Sequence, residues 1–225
     1  MSEPAVEPRW RRLPEERPRQ IIESALAVFG ERGLAVARLE DIAKRAGLSK
    51  GTIYLYFANK EELFREVVRS TVISKLEERE QLLGEPGTAT EVLEQFMRTY
   101  WKYLRSSEFA PIFRLVHAEI HNFPDLAAFY GEEVVARGHR LIATLITNGI
   151  ESGEFRDNID PRVAARMLAS TFVMHGVWCT HREYFDSVAK KTDDDVLDEL
   201  IDFFFHALRP FRSDASESAT GPLRS

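Results

Sequence analysis

Two hundred and twenty-five residues exceed one domain of ~150 residues without reaching two, so one small and one larger lobe are expected. A composition of 44% hydrophobic, 29% charged and 11% aromatic residues is that of a globular chain and excludes a disordered, collagen-like or fibrous protein. The formal charge of −6 would disfavour a polyanionic partner if it were spread evenly, but residues 1–60 carry a net +3 and the remainder −9, so one end of the molecule suits a polyanion.

Apolar residues recur at a spacing of 3.6 almost throughout and no alternating β-branched run appears, so the chain is expected to be all-α with about nine helices. The N-terminus, rich in Glu, Pro and Arg, lacks the apolar stretch of a secretory signal. Residues 1–16 and 212–225 read as disordered tails. Arg9, Arg11, Arg12, Arg17 and Arg19 are expected to precede the first helix, either as an arm for a minor groove or as a solvated tail. That helix is expected from near Arg19, burying Ile22, Ala25, Leu26 and Phe29 and ending at Gly30 to Gly33. A short second helix runs from Leu39 to Ala46 and is closed by Gly47. Ser49 caps a third, Lys50 to about Phe57; Asn59, with Glu62 as its partner, caps a fourth that reaches about Leu83.

Thr88 and Glu91 form a capping box for a helix carrying Val92, Phe96, Tyr100 and Tyr103, with Met97 and Trp101 beside them. Further helices are expected over Phe109–Ile120, Pro124–Ser152, Pro161–Phe185 capped by Asp160, and Asp193–Leu208 capped by Thr192. The stretch Leu168 to Cys179 is apolar but broken by Ser170, Thr171 and His175, too short for a membrane span. Cys179 is the single cysteine; with no disulfide and no cysteine cage possible, a reducing, cytoplasmic setting is expected.

The most informative stretch is Arg38 to Phe57. Two short helices joined by Ala46-Gly47-Leu48-Ser49 have the length and turn chemistry of a helix-turn-helix, whose second helix enters a major groove. Ile42, Ala43, Ile53 and Phe57 would form a small core, leaving Lys50, Gly51, Thr52, Tyr54 and Tyr56 outward to offer charge, hydroxyls and close backbone approach to DNA. Ile42-Ala43, Ala46-Gly47, Ser49, Gly51-Thr52, Tyr54, Tyr56-Phe57, Lys60 and Leu63 resemble, at the same spacings, the DNA-binding region of the tetracycline-repressor (TetR) family of bacterial regulators, in particular its AcrR-like, efflux-associated members.

The resemblance covers roughly residues 17–68. It implies a three-helix DNA-binding domain over 17–66 and a ligand-binding and dimerisation domain over 67–210. It also implies a homodimeric repressor that leaves a palindromic operator when a small molecule enters the second domain. Separately, no Ser-His-Asp order, phosphate-binding glycine loop or dinucleotide fingerprint is recognisable, so no enzyme activity is expected. By position, the family's DNA contacts fall on Arg38, Ser49, Lys50, Gly51, Thr52, Tyr54, Tyr56 and Lys60. Arg38 stands where the family usually has the Ser or Thr that caps the second helix, and Leu55 replaces an often polar or aromatic residue.

In the second lobe the resemblance implies a ligand cavity that draws on Met97, Trp101, Phe113, His117, Phe172, His175 and Trp178; taken alone, such a stripe is more often simple core. A mostly apolar lining favours a lipophilic or aromatic effector. His117 and His121 lie four apart, but the glutamate that a zinc-protease helix places directly after the first histidine is replaced by Ala118, so no metal and no cofactor are expected. Met167 and Met174 on one helix and Leu197, Leu200, Ile201, Phe204 and Phe205 on the next would pair with their twins as a four-helix dimer interface, or else be buried in the same lobe. Two other functions remain open at this level: a helical small-molecule or metal-binding protein with a vestigial helix-turn-helix, and an activator using the same DNA contacts.

Overall fold

A computed structural model of the chain describes residues 16–180 and 193–210. The arm residues Arg9, Arg11 and Arg12, the tails, the helix end at Phe185 and the cap Thr192 lie outside the described residues. Every regular element within them is helical, and counting each unbroken helical run once gives nine.

The first helix, α1 (Glu16–Arg32), begins three residues before Arg19, so Arg17 and Arg19 belong to it rather than to an arm, and Arg19 pairs with Glu23 at 2.9 Å. Its buried stripe is Ile21, Ala25, Val28 and Phe29, with Ile22 and Leu26 only partly covered. These four lie at i, i+4, i+7 and i+8, the narrow face that one helix turns to its neighbours. Then come α2 (Leu39–Arg45), α3 (Lys50–Tyr54) and α4 (Lys60–Val68). Gly47, at φ +65, makes the left-handed turn between α2 and α3 that only glycine adopts without strain.

The helix expected without interruption from Lys60 to Leu83 follows that course, but not as one α-helix. After α4 the backbone widens into a π turn over Arg69–Ile73, resumes as α5 (Ser74–Glu80) and tightens over Gln81–Gly84. Hydroxyls explain the widening: Ser70 donates to the carbonyls of Glu66 and Val67, Thr71 to Val67 at 2.7 Å and Ser74 to Ser70 at 2.7 Å. They compete with backbone amides for the same acceptors. The remaining helices are α6 (Ala89–Leu104), α7 (Phe109–Glu119), α8 (Pro124–Tyr130), α9 (Arg137–Glu151), α10 (Pro161–Thr180) and α11 (Asp193–Leu208). A second π turn, Gly131–Ala136, interrupts the helix expected from Pro124 to Ser152.

Two compact units result, and they cut the chain differently from a single boundary at residues 66 and 67. The first comprises residues 1–76 and 106–135, the second 77–105 and 136–225. In the first, Ile42, Ala43, Ile53 and Phe57 join the α1 stripe as expected, together with Leu63, Phe64 and Val67 of α4. The same core takes in Ile112, Leu115 and Val116 of α7 and Leu126 of α8. A carboxylate ties α7 to the loop after α1: Glu119 accepts from the Ala35 amide at 2.7 Å, and a Cβ on Gly33 would collide with it.

The second unit packs α9 and α11 against α6, with α10 against both α6 and α9. Leu93, Phe96, Met97, Trp101 and Leu104 of α6 meet Leu141, Leu145 and Ile146 of α9, Leu168 and Phe172 of α10, and Phe204, Phe205 and Leu208 of α11 in its interior. A Cβ at Gly176 would stand 2.9 Å from Leu104 Cβ, which marks how closely α10 and α6 approach. Arg137, at the start of α9, grips Glu80 with two bonds of 2.6 and 2.7 Å, and this guanidinium holds the Glu80 carboxyl below its ordinary value.

The first amides of α6 are all accounted for. Thr88 accepts from the Glu91 amide and Glu91 returns a bond to the Thr88 amide, while Glu154 accepts from the amides of Ala89 at 2.8 Å and Thr90 at 3.0 Å. Burial pushes the Glu154 carboxyl up, but the bonds from Thr90, Ala89 and Ser152 outweigh it and leave the group below its ordinary value. Its stabilisation is therefore present above the unfolded carboxylate range and lost as pH falls through the folded value. Glu154→Ala is expected to lower unfolding free energy by about 1 kcal/mol at neutral pH, as removal of a helix cap does. Thermal unfolding of both proteins should show this difference shrinking as pH falls from the ordinary carboxylate range through the lower native value.

Candidate functional site

The helix-turn-helix stands on caps and on one acidic residue. Arg38 occupies the N-cap of α2 with no side-chain bond to the backbone, as its identity led one to expect. Ser49 caps α3, accepting from the Thr52 amide at 3.1 Å, and its hydroxyl also meets the Thr52 hydroxyl at 2.8 Å. Asn59 accepts from the Glu62 amide at 2.7 Å to cap α4, and Glu62 returns its bond to Ala58 rather than to Asn59 itself.

The residues expected to meet DNA share the exposed side of this motif but differ in what already holds them. Lys50 Nζ lies 2.6 Å from Glu40 Oε1, to which the Tyr54 hydroxyl donates at 3.3 Å. The bond from Lys50 holds the Glu40 carboxyl below its ordinary value, and Glu40 in turn raises Lys50. Lys60 donates to the Ala35 carbonyl at 2.7 Å and lies 5.9 Å from the Phe123 ring centroid, so its ammonium is already used inside the unit. Arg38 and Tyr56 have no hydrogen bond or ion pair among the described residues and remain fully available. Leu55, at 83% exposure, is the most exposed large apolar side chain described and stands between Tyr54 and Tyr56.

Glu40 was missed in the sequence because only the crossing of α2 and α3 brings residue 40 to residue 50. Its one signal was an acidic residue in the first turn of α2.

The seven residues expected to line a cavity do not form one group. Met97, Trp101, Phe172, His175 and Trp178 belong to the second unit, whereas Phe113 and His117, stacked 3.7 Å apart on α7, belong to the first. In the second unit Trp101 stacks on His175 at 4.8 Å and takes Phe172 edge-on at 5.6 Å; Phe172 in turn stacks on Tyr100 at 6.0 Å. Met97 is fully buried and Trp178 is 41% exposed. The Trp101 indole N–H is buried without an acceptor. His117 bonds the Phe113 carbonyl through Nδ1 at 3.0 Å.

The residues expected at a subunit interface also divide. Leu197, Ile201, Phe204 and Phe205 are buried within the second unit, Phe204 against Phe172 and Phe205 against Phe155, because α11 turns this face to α6. Leu200 is half-buried. Met167 and Met174 are exposed, and with Val163 and Trp178 they form an apolar row along α10; Phe203 is the exposed aromatic of α11. Among the described residues no three metal-ligating side chains stand together, and no helix is long and apolar enough to cross a membrane.

Residues 21–67, the helix-turn-helix and its supports, match the family model described as bacterial regulatory proteins, tetR family. Residues 85–203, more than half of the chain, match the tetracyclin repressor-like C-terminal domain. The chain belongs to the TetR family. Among its relatives, the fatty acid metabolism regulator protein of Bacillus subtilis is 28% identical over 193 residues, covering 84% of this chain and 97% of the relative. The transcriptional repressor KstR2 of Rhodococcus jostii is 26% identical over 192 residues, covering 82% and 91%. The crystal structure of the Bacillus subtilis regulator FadR in complex with stearoyl-CoA superposes with a TM-score of 0.69 at 25% identity, covering 85% of this chain and 99% of that one. The TetR family thus supplies the fold of both parts of the chain.

For this TetR protein the Glu40–Lys50 pair has a measurable consequence. Both side chains are largely exposed, so the pair itself contributes little to stability, but Glu40 neutralises a cation on the exposed side of α3. Glu40→Gln is expected to tighten binding to a mixed-sequence duplex about 2- to 5-fold at low salt, with the gain fading as salt rises. Fluorescence anisotropy at two salt concentrations reads this, and unchanged affinity would show that Lys50 does not reach phosphate.

Proposed function

We propose that this TetR-family chain is a homodimeric, ligand-responsive transcriptional repressor of the cytoplasm, which binds a palindromic operator and leaves it when a lipophilic effector enters the second unit. The observation that carries this reading is the tetR-family match over residues 21–67, the same segment in which Arg38, Tyr54 and Tyr56 are exposed. In it Arg38 and Lys50 grip phosphates, Tyr56 and Thr52 reach base edges or sugar, and Gly51 admits the backbone to close approach; Ser49 serves chiefly as the cap that orders these groups. Relatives of the chain are transcriptional regulators rather than enzymes.

The effector is inferred to be of fatty-acyl or steroid kind rather than the drug-like spectrum of efflux-associated regulators. Supporting this are the relative named for fatty acid metabolism, the structure holding stearoyl-CoA, and the apolar surroundings of Trp101 and Phe172. The subunit contact is assigned to the exposed row Val163, Met167 and Met174 of α10 with Phe203 of α11, because these apolar side chains lack cover in the single chain.

With a typical allosteric coupling of ~1–3 kcal/mol, saturating effector weakens operator binding ~5–150-fold, and operator weakens effector binding by the same factor. Footprinting the region upstream of the protein's own gene should give a two-fold symmetric protection that is lost as salt rises; an asymmetric, salt-indifferent footprint refutes the reading.

Met167→Glu with Phe203→Glu is expected to yield a folded monomer by light scattering, since unpaired carboxylates at an apolar contact cost several kcal/mol. Circular dichroism checks the fold, and a dimer that survives both charges moves the interface to another face.

A further inference from the structure

Arg79, in the last turn of α5, is the one charged side chain buried among the described residues, at 7% exposure. Its guanidinium faces the rings of Tyr103 and Tyr100 at 4.6 and 5.4 Å from their centroids. No hydrogen bond or ion pair joins it to another described residue. Burial pushes its pKa below the ordinary value, yet an arginine stays protonated, so the cation is held where water is scarce, offset by the tyrosine faces and by the neighbouring Glu78 carboxylate, which makes no direct bond to it. Buried charges in folded proteins are ordinarily paired.

One unmet donor belongs to the same cluster. Tyr100 stacks on Phe172, Phe172 meets Trp101 edge-on, and the Trp101 indole N–H is buried without an acceptor. The second unit therefore joins a buried cation that has no direct hydrogen-bonded or ion-pair partner to a buried aromatic cluster that carries a spare donor. A direct anionic partner for the guanidinium and an apolar body against the aromatic cluster describe the molecule that completes it.

We propose that Arg79 binds the head of a monoanionic amphiphile, a carboxylate on a long apolar body, whose tail lies along Phe172 and Trp101. A carboxylate matches the guanidinium fork with two parallel bonds, and the flanking tyrosine faces keep that fork planar and desolvated. One guanidinium balances one charge, which favours the free acid over a head carrying several phosphates. This inference rests on the reading of the second unit as the effector domain, and it names the effector's polar end.

The full-length protein is titrated, below the micelle concentration, with dodecanoate, methyl dodecanoate and dodecyl phosphate, following tryptophan fluorescence and calorimetric heat. Dodecanoate is expected to bind at least about 10-fold more tightly than its neutral ester, the difference a charge-assisted bidentate pair supplies. Arg79→Met should bring acid and ester to within about 2-fold of one another, while Arg79→Lys should keep part of the preference, because a point charge remains without the fork. Equal binding of acid and ester by the unaltered protein overturns the proposal without any variant, as does failure of all three to bind. Tighter binding of dodecyl phosphate than of dodecanoate overturns the carboxylate assignment in favour of a phosphate head. Dodecanoate bound through Arg79 but without effect on DNA affinity would leave the site standing and remove the repressor reading. An ester that binds as well as the acid and releases DNA would do the reverse.

Discussion

The stripe Ile21, Ala25, Val28 and Phe29 of α1 is the constraint on which the first unit depends. Full burial of such side chains is worth roughly 1.5–3 kcal/mol for each large one, and α1 can realise it only by packing several partners on one narrow face. Those partners are α2, α4 and α7, so one helix at once sets the pose of the helix-turn-helix and docks a segment that lies some eighty residues later in the chain. Phe29 and Phe64 meet edge-to-face at 6.3 Å at the centre of this core. The recognition helix itself is only five residues long and contributes a single buried side chain, Ile53; its position is lent to it by α1 and α2.

Electrostatics follow a similar economy. Exposed cations of the first unit are oriented by carboxylates on neighbouring helices: Glu40 on Lys50, Glu31 on Arg45 at 2.6 Å and Asp41 on Arg32 at 3.0 Å. These pairs are exposed, so they add little stability and can be exchanged for phosphate at low cost. Arg38 and Tyr56 stand outside that arrangement. The contrast with Arg79 is physical: an exposed cation is satisfied by water whenever its partner leaves, whereas a buried one is satisfied only by what the protein or a ligand brings.

Much of this could be read from the chain alone, and the reason is local. Turn glycines, Ser49, Asn59 and the Thr88–Glu91 box act within four residues of themselves, so helix starts and the turn between α2 and α3 were legible. The three-residue error at the start of α1 arose where Glu and Arg, both good helix formers, extend a helix without an apolar marker. The π turn after Val68 escaped notice because its cause, the back-bonding of Ser70, Thr71 and Ser74, opposes the apolar periodicity that otherwise reads as continuous helix.

What the amino-acid order determined by itself was the all-helical class, the helix-turn-helix with its caps, and the apolar faces each helix had to bury. Tertiary structure alone decided which faces those were buried against. It placed α7 and α8 with α1 rather than in the later lobe, covered Phe204 and Phe205 from within, left Met167 and Met174 bare, and brought Glu40 to Lys50. It also enclosed Arg79 against two tyrosine rings without a direct ion pair. Periodicity states that a side chain is to be buried, whereas its partner is set by the packing of helices distant in sequence, which no local pattern encodes.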